Sequence, residues 1–566
     1  MTSKLNVGIL INSYQLSDWV YTIIASIQQS DYAQITLVVK NESDPAHEGS
    51  KLQQLIRKRS QIVHKAHTVI DSKLFGRRAT YGKEKDISPI LQNVDEIKVI
   101  PKLGKFTDRL IAEDIQKIKV HELDVILRFG FRILKGDIFN CANYGVWSYH
   151  HGDNRENRGG PPGYWESVEN WGTSGFMLQI LNEDLDGGKV IHRSNHQTDA
   201  LSIEGNKDNF YWRSSNIVPR ILKGMHQYGP EYLEQRIARY NKDITAYDKP
   251  LYRTPGNFKA FKNLLKFSSN LVRRTFRKLF YYNYWYVMVK PLKQSDEVTS
   301  FSLRKFKALH TTSNKYWADP FILTKHNKHY MFVEEYIWKT NKAHISIVEL
   351  DEKGNYLTDY KIIDPGYHLS YPFVFKHNNT LYLIPESRSN RTIELYKCVE
   401  FPDKWEFDMN LMEHVDAVDT TLHFDGTLWW LFCNYDETGG KSSCADELHI
   451  FYASDFRTQN WTPHKHNPVV SDCRLSRPAG KLFTLNNQLY RPSQCSEYIY
   501  GKACNIFKIK TLTETEYEEE LVTTMHPEWN KAVQGIHTFN YSEKLAVVDA
   551  FMYRPKFTLK PFKTQF

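Results

Sequence analysis

Two short apolar segments, residues 144–149 and 176–181, lead into side chains that could perform acyl transfer. The first segment ends at His150, and the second runs into an acidic turn that contains Asp186. An α/β sheet can bring the ends of neighbouring strands to one edge, where an imidazole and its orienting carboxylate meet. We therefore expect His150 and Asp186 to lie together in one cleft.

Attack by an amine on an acyl carbon places negative charge on the acyl oxygen, so the site needs hydrogen-bond donors and an acceptor for the amine proton. We expect His150 to donate to that oxygen, while Asp186 fixes its tautomer and helps to collect the proton. Ser148 is two residues before His150 and is a donor of short reach. It would act through a water molecule, or the reaction differs.

This segment resembles the formyltransferase family, whose signature is a strand ending in Asn-x-His, an Arg-Gly loop with Pro, Thr-Gly, and a closing Leu-Asp-x-Gly. The matching positions are Ser148-Tyr149-His150, Arg158-Gly159 with Pro162, Ser174-Gly175, and Leu185-Asp186-Gly187-Gly188. Residues 124–134 resemble the family's preceding strand and folate-contacting loop. The chain departs from the family at one point, because Ser148 occupies the position of the catalytic Asn.

The resemblance implies a doubly wound, Rossmann-like α/β domain over residues 1–240 that uses N10-formyltetrahydrofolate. The implied reaction is formyl transfer to the amine of an amino sugar, free or nucleotide-linked. His150 and Asp186 would be catalytic, with Ser148 assisting. The implied folate-site residues are Phe129, Gly130, Asn182, Glu183 and Asp184. The alternative is a domain of this fold that has lost its chemistry.

The C-terminal half contains an internal repeat. Five copies of a short polar start followed by two apolar runs begin near residues 319, 371, 419, 477 and 535. A spacing of about 50 residues suits one four-stranded blade. The repeat predicts an all-β, five-bladed β-propeller over residues 301–566, so that the protein is multidomain.

Each copy begins with a polar side chain that we expect at the central channel of the propeller. The predicted channel residues are Asp319, Tyr371, Asp419, Arg477 and His537, with Glu335 and Glu386 on neighbouring strands. Trp317-Ala318-Asp319-Pro320 resembles the opening motif of five-bladed glycoside hydrolases of family 43, which implies an acid and base pair of carboxylates. The alternatives are that these carboxylates cap the strands, or that they bind glycan without hydrolysis.

The same half resembles the N-terminal domain of plant glucosamine inositolphosphorylceramide transferases over roughly residues 300–555. The motifs that carry the resemblance are His368-Leu-Ser-Tyr-Pro-Phe-Val-Phe, Pro385-Glu-Ser, Asp419-Thr-Thr and Arg477-Pro-Ala-Gly480. The matched domain is not the family's transferase domain. The resemblance therefore implies a propeller that works on or near a glycan.

Residues 241–300 form a basic connector. Within it, residues 257–280 hold seven Lys or Arg side chains, no acid, and apolar side chains at helical spacing. Such a basic amphipathic helix is typical of peripheral membrane contact. The alternative is a helix that packs against the rest of the protein with its lysines in solvent.

Composition limits the remaining functions. The chain has 566 residues and a net charge of +9, of which the helix at 257–280 carries +7, so we expect no nucleic-acid partner and disfavour methionyl-tRNA as the acceptor. No signal peptide or membrane-spanning run is visible. Seven cysteines without paired metal-ligand spacing favour reduced thiols in a cytoplasmic protein, with no metal site expected.

Overall fold

The computed structural model describes residues 3–43, 59–76, 79–184, 187–242, 247–293, 303–312, 314–443, 446–528 and 530–557. The chain forms two compact units, Met1–Leu271 and Val272–Phe566. The first unit is α/β and the second is β-rich, as the sequence predicts.

The first unit is built on a seven-stranded sheet. The strands of this unit are β1 Leu5–Ile11, β2 Gln15–Ser17, β3 Ala33–Asn41, β4 Glu84–Asp86, β5 Asp95–Val99, β6 Lys102–Leu103, β7 Thr107–Arg109, β8 Val125–Arg128, β9 Ile133–Lys135, β10 Val146–His150, β11 Thr173–Ile180 and β12 Lys189–Gln197. The large sheet has the order β12-β11-β10-β8-β1-β3-β5. Its strand order turns between β1 and β8, which is where doubly wound sheets place ligands.

Helices cover this sheet. The helices of this unit are α1 Asp18–Gln28, α2 Ile62–Phe75, α3 Ala112–Lys119, α4 Tyr164–Glu169, α5 Ile203–Ser215, α6 Ile217–Tyr228 and α7 Glu231–Tyr240. The next helix, α8 Asn257–Phe280, contains the boundary between the two units. Short 3-10 helices occur at Ser88–Ile90, Asp137–Asn140, Leu303–Lys305 and Arg388–Asn390. The core lies on both faces of the sheet, with Ile9, Ile23 and Trp212 in one cluster and Leu10, Ile118 and Ile126 in another. Apolar side chains on both faces are expected for central parallel strands.

The direction of β11 differs from the sequence expectation. β10 pairs in parallel with β8, but β11 runs antiparallel to β10, with His150 opposite Met177 and Trp147 opposite Ile180. The end of β11 therefore lies beside the beginning of β10. The sequence analysis places His150 and the acidic turn at the same edge of the sheet, and the antiparallel direction of β11 does not give that arrangement. The proximity of Asp186 to His150 stays a prediction.

The second unit consists of successive antiparallel sheets. Its strands are β13 Tyr281–Pro291, β14 Lys307–Leu309, β15 Lys315–Lys325, β16 Lys328–Ile337, β17 Lys342–Leu350, β18 Tyr356–Ile363, β19 Ser370–His377, β20 Thr380–Ser387, β21 Thr392–Glu400, β22 Lys404–Glu413, β23 Ala417–Phe424, β24 Trp429–Tyr435, β25 Glu447–Ala453, β26 Thr462–Pro463, β27 Val470–Ser471, β28 Phe483–Leu485, β29 Gln488–Cys495, β30 Ala503–Leu512, β31 Tyr517–Met525, β32 Val533–Gly535, β33 Phe539–Tyr541 and β34 Leu545–Pro555.

Among the described strands these make five sheets. We number them by position in the chain: the first sheet is β15–β18, the second β19–β22, the third β23–β27 and the fourth β28–β31. The fifth combines β13 and β14 from the start of the unit with β32, β33 and β34 from its end. The predicted repeats at 319, 371 and 419 each fall in the first strand of a sheet.

The predicted connector over 241–300 differs from the structure at its C-terminal part. Residues 257–280 are helical as predicted, but Tyr281–Pro291 is strand β13, which pairs with β34 along its full length. The aromatic stretch after the helix is therefore part of the second unit. Within the described ranges, no helix is both long and apolar enough to cross a bilayer; the predicted cytoplasmic location stays a prediction.

Candidate functional site

In the first unit, the predicted site begins at the carboxyl ends of β8 and β10. The two strands pair with Arg128 opposite Ser148, and Arg128 Nη1 donates a hydrogen bond of 3.0 Å to Ser148 Oγ. Arg128 Nη2 donates to the carbonyl oxygens of Phe131 and Arg132 at 3.0 and 2.7 Å. One guanidinium thus joins the end of β10 to the loop that follows β8.

His150 lies two residues beyond Ser148 at the end of β10 and is partly buried. Its Nε2 lies 2.8 Å from the carbonyl oxygen of Asn157. Because a carbonyl oxygen only accepts, Nε2 is the donor in this contact. The next residue, His151, is packed among Trp19, Tyr211 and other rings, and burial lowers its pKa to about 3, so this imidazole is neutral.

The predicted folate-site residues fall in two segments of the chain, 129–130 and 182–184. Gly130 packs against Asn12, and a Cβ at Gly130 would lie 2.7 Å from the Asn12 nitrogen. Phe129 packs edge-on against Trp19, with the ring centroids 6.2 Å apart. These two residues are therefore explained by packing.

The turn at Asn182, Glu183 and Asp184 is exposed. Glu183 Oε1 accepts a hydrogen bond of 2.8 Å from the Gly136 nitrogen, which lowers the pKa of this carboxyl. Asn182 Oδ1 accepts from the Asp184 nitrogen and holds the turn. Leu185 and the predicted catalytic Asp186 lie outside the described residues.

In the second unit, three sheets begin with the same backbone irregularity. The first strands of the first, second and third sheets carry a β-bulge, and the bulge begins at Asp319, Tyr371 and Asp419 respectively. All three have left-handed backbone conformations, with φ of 50°, 43° and 54°. Such conformations cost roughly 1–3 kcal/mol for residues other than glycine and persist only where surrounding contacts impose them.

Asp319 connects three sheets. Its Oδ2 accepts a hydrogen bond of 3.2 Å from the Tyr371 nitrogen in the second sheet, and its Oδ1 accepts one of 2.6 Å from Thr538 Oγ1 in the segment between β32 and β33. His537 lies between two carboxylates, 3.2 Å from Asp319 and 2.6 Å from Asp549. Burial opposes the charged imidazole, but Asp549 and Asp319 outweigh it and raise the pKa of His537.

Asp419 forms the second part of this centre. Arg477 Nε lies 2.5 Å from Asp419 Oδ2, and Gln494 Nε2 donates to the same oxygen at 2.9 Å. Arg477 Nη2 also lies 3.5 Å from Glu386 Oε2. These contacts join the second, third and fourth sheets.

Tyr371 closes the arrangement. Its hydroxyl lies 2.9 Å from Thr421 Oγ1 in the third sheet and accepts a hydrogen bond of 2.7 Å from the Gly480 nitrogen. Asn540 in the fifth sheet accepts from the Lys481 nitrogen and donates to the Pro320 carbonyl oxygen, both at 2.8 Å. We call this set of polar contacts, centred on Asp319, Tyr371, Asp419, Arg477 and His537, the hub; it forms a closed ring through all five sheets.

Two glutamates extend the hub. Burial, followed by the nearby Asp319 carboxylate, raises the pKa of Glu334 well above its usual range, and Glu334 is hydrogen-bonded to Asp319. Burial and Asp419 do the same for Glu386, which is hydrogen-bonded to Asp419. The raised pKa favours the protonated form of each glutamate, which can donate to the aspartate beside it. Carboxyl groups in direct contact lack the gap of roughly 5–10 Å that an acid and base need on either side of a glycosidic bond.

The prediction that Glu335 belongs to this centre is wrong, because successive strand residues point to opposite faces. Glu335 accepts hydrogen bonds of 2.8 Å from Lys315 and from the Trp317 indole, and lies 3.2 Å from His344. Burial opposes its ionisation, but the bonds from His344, Lys315 and Trp317 outweigh it and lower the pKa of Glu335 to about 2. The neighbouring Glu334 takes the place predicted for it.

The structure brings together the other predicted channel residues, Asp319, Glu386, Asp419, Arg477 and His537. Sequence reasoning missed Glu334, Asp549 and Gln494. Asp319, His537 and Asp549 each place one potential ligand atom within 4.8 Å of the others. The Asp549 oxygens are also acceptors for the backbone nitrogens of Asp319, His537 and Thr538, so these side chains act as a hydrogen-bonded brace of the hub.

Comparison with known proteins identifies relatives of the second unit. Residues 303–547 match the family described as glucosamine inositolphosphorylceramide transferase 1, N-terminal, which confirms the resemblance of this half. The glucosamine inositolphosphorylceramide transferase 1 of Oryza sativa subsp. japonica is 34% identical over 205 residues, which cover 36% of this chain and 27% of that protein. The protein of that name from Arabidopsis thaliana is 31% identical over 209 residues, with the same coverage. The matched region is thus about a quarter of the length of these relatives.

Solved structures resemble parts of the chain at low similarity. A glycinamide ribonucleotide transformylase 1 from Symbiobacterium toebii is 11% identical and covers 40% of this chain and 90% of its own, with a TM-score of 0.26. The catalytic domain of a Coprinopsis cinerea GH62 α-L-arabinofuranosidase is 12% identical and covers 47% and 97%, with a TM-score of 0.32.

Proposed function

We propose that the first unit transfers a formyl group to the amine of an amino sugar, free or nucleotide-linked. The observation that carries this proposal is the contact between Arg128 and Ser148 at the carboxyl ends of two parallel strands, with His150 following in the same strand. It places a cation, a hydroxyl and an imidazole at the edge of the sheet where doubly wound folds bind their ligands.

Arg128 and Ser148 would supply the charge stabilisation that acyl transfer requires. A donor of this kind is worth on the order of 10² to 10³ in rate. Ser148 is short, but Arg128 bonds directly to it and brings a permanent positive charge to the same point. His150 would handle the proton that the attacking amine loses.

N10-formyltetrahydrofolate would supply the formyl group when bound. The exposed turn at Asn182, Glu183 and Asp184 suits the N–H donors of a pterin ring, because its side-chain oxygens are acceptors. Glu183 already contacts Gly136, the residue that follows β9. Phe129 and Gly130, by contrast, are taken up by packing against Trp19 and Asn12.

An amino sugar is the favoured acceptor because relatives of the second unit carry glucosamine, an amino sugar, in their name. We infer that the five sheets are the blades of a five-bladed propeller that binds glycan. The ring of contacts through Tyr371, Asp319 and Arg477 supports a closed arrangement of this type.

The test is an assay of the full chain with N10-formyltetrahydrofolate and a panel of free and nucleotide-linked amino sugars, read by mass. We expect one sugar to gain a single CO group. His150→Ala should reduce turnover by about 10² or more, and Ser148→Ala by less. His121→Ala, the same change elsewhere in the unit, serves as the control and should leave turnover unchanged.

A folded wild-type chain that formylates no sugar in the panel would refute the proposal. Full activity in His150→Ala would refute the role of the imidazole. Glu386→Gln in the second unit should leave formylation intact; a loss there would place the chemistry in the propeller.

The second candidate is glycoside hydrolysis or glycosyl transfer in the propeller, with Asp319 and a glutamate as acid and base. The direct pairing of Glu334 with Asp319 and of Glu386 with Asp419 favours instead a glycan-binding role for this unit. A glycan that is bound by the chain and never cleaved or extended would agree with this role.

Peripheral membrane contact through α8 is a further part of the proposal. Six apolar side chains on the helix are 52–74% exposed: Phe258, Phe261, Leu265, Val272, Phe276 and Leu279. At 100° per residue they fall within about 60° of arc, and Lys262, Lys266 and Arg273 flank them. An exposed apolar stripe beside cations suits the surface of an anionic membrane.

A further inference from the structure

The second unit contains a cavity of about 510 Å³ that no step above uses. The last turns of α8 contribute Arg274, Arg277 and Lys278 to its wall, and the strands that follow contribute mostly aromatic side chains. Its volume lies within the range of roughly 300–1,000 Å³ that small-molecule sites occupy. We call it the aromatic pocket.

All the charged side chains that line the aromatic pocket are positive. Four of its thirteen lining residues are Lys or Arg and none is acidic; the fourth cation is Lys556. In the described part of the chain, none of these four has a carboxylate within 4.0 Å. Like charges around one space repel each other, and an anion would relieve that repulsion.

Two of these cations are held in place. Arg277 Nη1 donates a hydrogen bond of 3.0 Å to the Tyr553 hydroxyl, and Lys556 Nζ donates one of 2.7 Å to the Lys278 carbonyl oxygen. A guanidinium has five N–H donors, and this bond uses one of them. Arg277 is therefore oriented while retaining the paired donors that bind phosphate oxygens.

Seven lining residues are aromatic, and several pack against each other. Tyr282 and Trp338 have ring centroids 4.6 Å apart, and Tyr316 and Tyr336 are stacked at 4.7 Å. Tyr282 is 39% exposed. Rings that are already packed offer a rigid apolar face against which the C–H face of a saccharide can lie.

We propose that the aromatic pocket binds a sugar or polyol ring that carries a phosphate ester. The ring would pack against Tyr282 and Trp338, and the phosphate would bind Arg277 and Lys278. Aromatic cages for quaternary ammonium groups share the rings but not the four cations, which would repel such a ligand. This ligand class does not depend on formyl transfer in the first unit.

The inner wall of the aromatic pocket adjoins the hub. Trp285 lines the pocket, and its ring centroid lies 4.1 Å from that of His537. The nearby Glu334 contributes to the raised pKa of Tyr316 and of Tyr336, after the larger effect of burial. A bound ring would therefore sit directly outside the hub.

The test is calorimetric titration of the full chain, without folate, with glucosamine 6-phosphate and myo-inositol 1-phosphate. Glucosamine, inositol and inorganic phosphate are the ligand controls, and UMP represents nucleotides, whose bases also stack on aromatic rings. Trp338→Ala, Arg277→Gln and Lys278→Gln should each weaken binding of the phosphorylated rings by about tenfold or more. Arg304→Gln, at an exposed arginine of the same unit that lies outside the pocket, is the matched control and should stay within about twofold.

Binding of the phosphorylated rings that is no tighter than that of inorganic phosphate would overturn the proposal. Tighter binding of UMP, or an equal loss in Arg304→Gln, would also overturn it. Binding to vesicles identifies the source of the ligand. If the chain binds phosphatidylinositol vesicles more strongly than phosphatidylserine vesicles of equal charge, and Trp338→Ala removes this difference, the ligand is a lipid headgroup. Equal binding to both vesicles with retained binding of the soluble esters assigns a free sugar phosphate.

Discussion

The Tyr371 hydroxyl oxygen lies 2.7 Å from the backbone nitrogen of Gly480, which is 109 residues further along the chain. The same hydroxyl lies 2.9 Å from Thr421 Oγ1. Tyr371 is fully buried and lies in the first strand of the second sheet, so one phenol connects that sheet to the third and to the segment leading into the fourth.

Tyr371→Phe should destabilise the second unit by about 1–3 kcal/mol, because it leaves the buried Gly480 N–H without its acceptor. Hydrogen exchange followed by mass spectrometry should show faster exchange in β19, β23 and the segment around Gly480. Tyr498→Phe removes the hydroxyl of a 40% exposed ring and should have little effect. Unchanged exchange in Tyr371→Phe would contradict the hub as a stabilising centre.

Glu386→Gln should make the second unit increasingly more stable than wild type as the pH rises from about 5 to 8. Burial and Asp419 raise the pKa of Glu386, so the folded state binds a proton that the unfolded state releases above its ordinary pKa of about 4.3. The stability of the wild-type unit therefore falls between about pH 5 and pH 8. The variant lacks this fall because its amide does not titrate. Denaturant midpoints at pH 5 and pH 8 measure the difference; a pH-independent difference would contradict the raised pKa.

Glu335→Gln should change stability with pH in the opposite direction to Glu386→Gln. Glu335 follows Glu334 in β16, but its pKa is lowered and that of Glu334 is raised. The pKa of Glu335 is lowered to about 2, so its contribution to stability is present above the ordinary Glu pKa and is lost as the pH falls towards 2. At pH 7 the variant should lose about 3 kcal/mol, because Lys315 loses a buried partner. The loss should shrink in denaturant titrations below pH 4.

Arg128→Met should loosen the loop that follows β8. Hydrogen bonds from a charged donor contribute roughly 1.5–3 kcal/mol, and the Phe131 and Arg132 carbonyl oxygens both lose one. Limited proteolysis should cleave within residues 129–135 earlier than in wild type. Arg253→Met, at an exposed arginine of the same unit, should keep the wild-type pattern; equal patterns in both variants would contradict the bracing role of Arg128.

Phe261→Ser with Leu265→Ser should weaken binding to anionic vesicles by roughly tenfold or more, because each exposed side chain loses about 1–2 kcal/mol of apolar burial. Flotation with vesicles measures it, and binding of the wild type should fall with added salt. Leu357→Ser alters a similarly exposed leucine in β18 and should not change binding. Equal flotation of all three proteins would exclude α8 as the membrane contact.

The repeated sheets could be predicted because their signal is local. Each begins with a short strand whose apolar residues recur about 50 residues later, and the positions 319, 371 and 419 fall in β15, β19 and β23. The side chains that meet at the centre could be predicted in the same way. The left-handed backbone at Asp319, Tyr371 and Asp419 could not, because aspartate and tyrosine are not glycine-like residues.

The sequence predicts Glu335 rather than Glu334 because it does not reveal the bulge at Asp319. The bulge shifts the register, so that Ala318 pairs with Glu334 and Phe321 with Phe332. A one-residue error in register exchanges the two faces of a strand. The apolar Phe332 is the signal in the sequence that indicates Glu334. Residues two apart in a strand lie on the same face, so Glu334 lies on the same face as Phe332.

Long-range pairing explains the other differences. Tyr281–Pro291 has the aromatic and β-branched content of a strand, but its partner β34 is more than 250 residues away and no turn residue separates it from α8. The direction of β11 likewise depends on how it joins β10 across residues 151–172. Folate use and the role of Asp186 stay predictions.

The pairing of β13 with β34 also determines when the second unit can complete its fold during synthesis. Tyr281 pairs with Pro555 and Pro291 with Leu545, so the first strand made waits for the last. A nascent chain on the ribosome can form the four intervening sheets in order, and β13 can pair with β14. The other edge of β13 stays unpaired until β34 has left the exit tunnel. Chaperones that shield unpaired strand edges would therefore act on this segment for longer than on any of those four sheets.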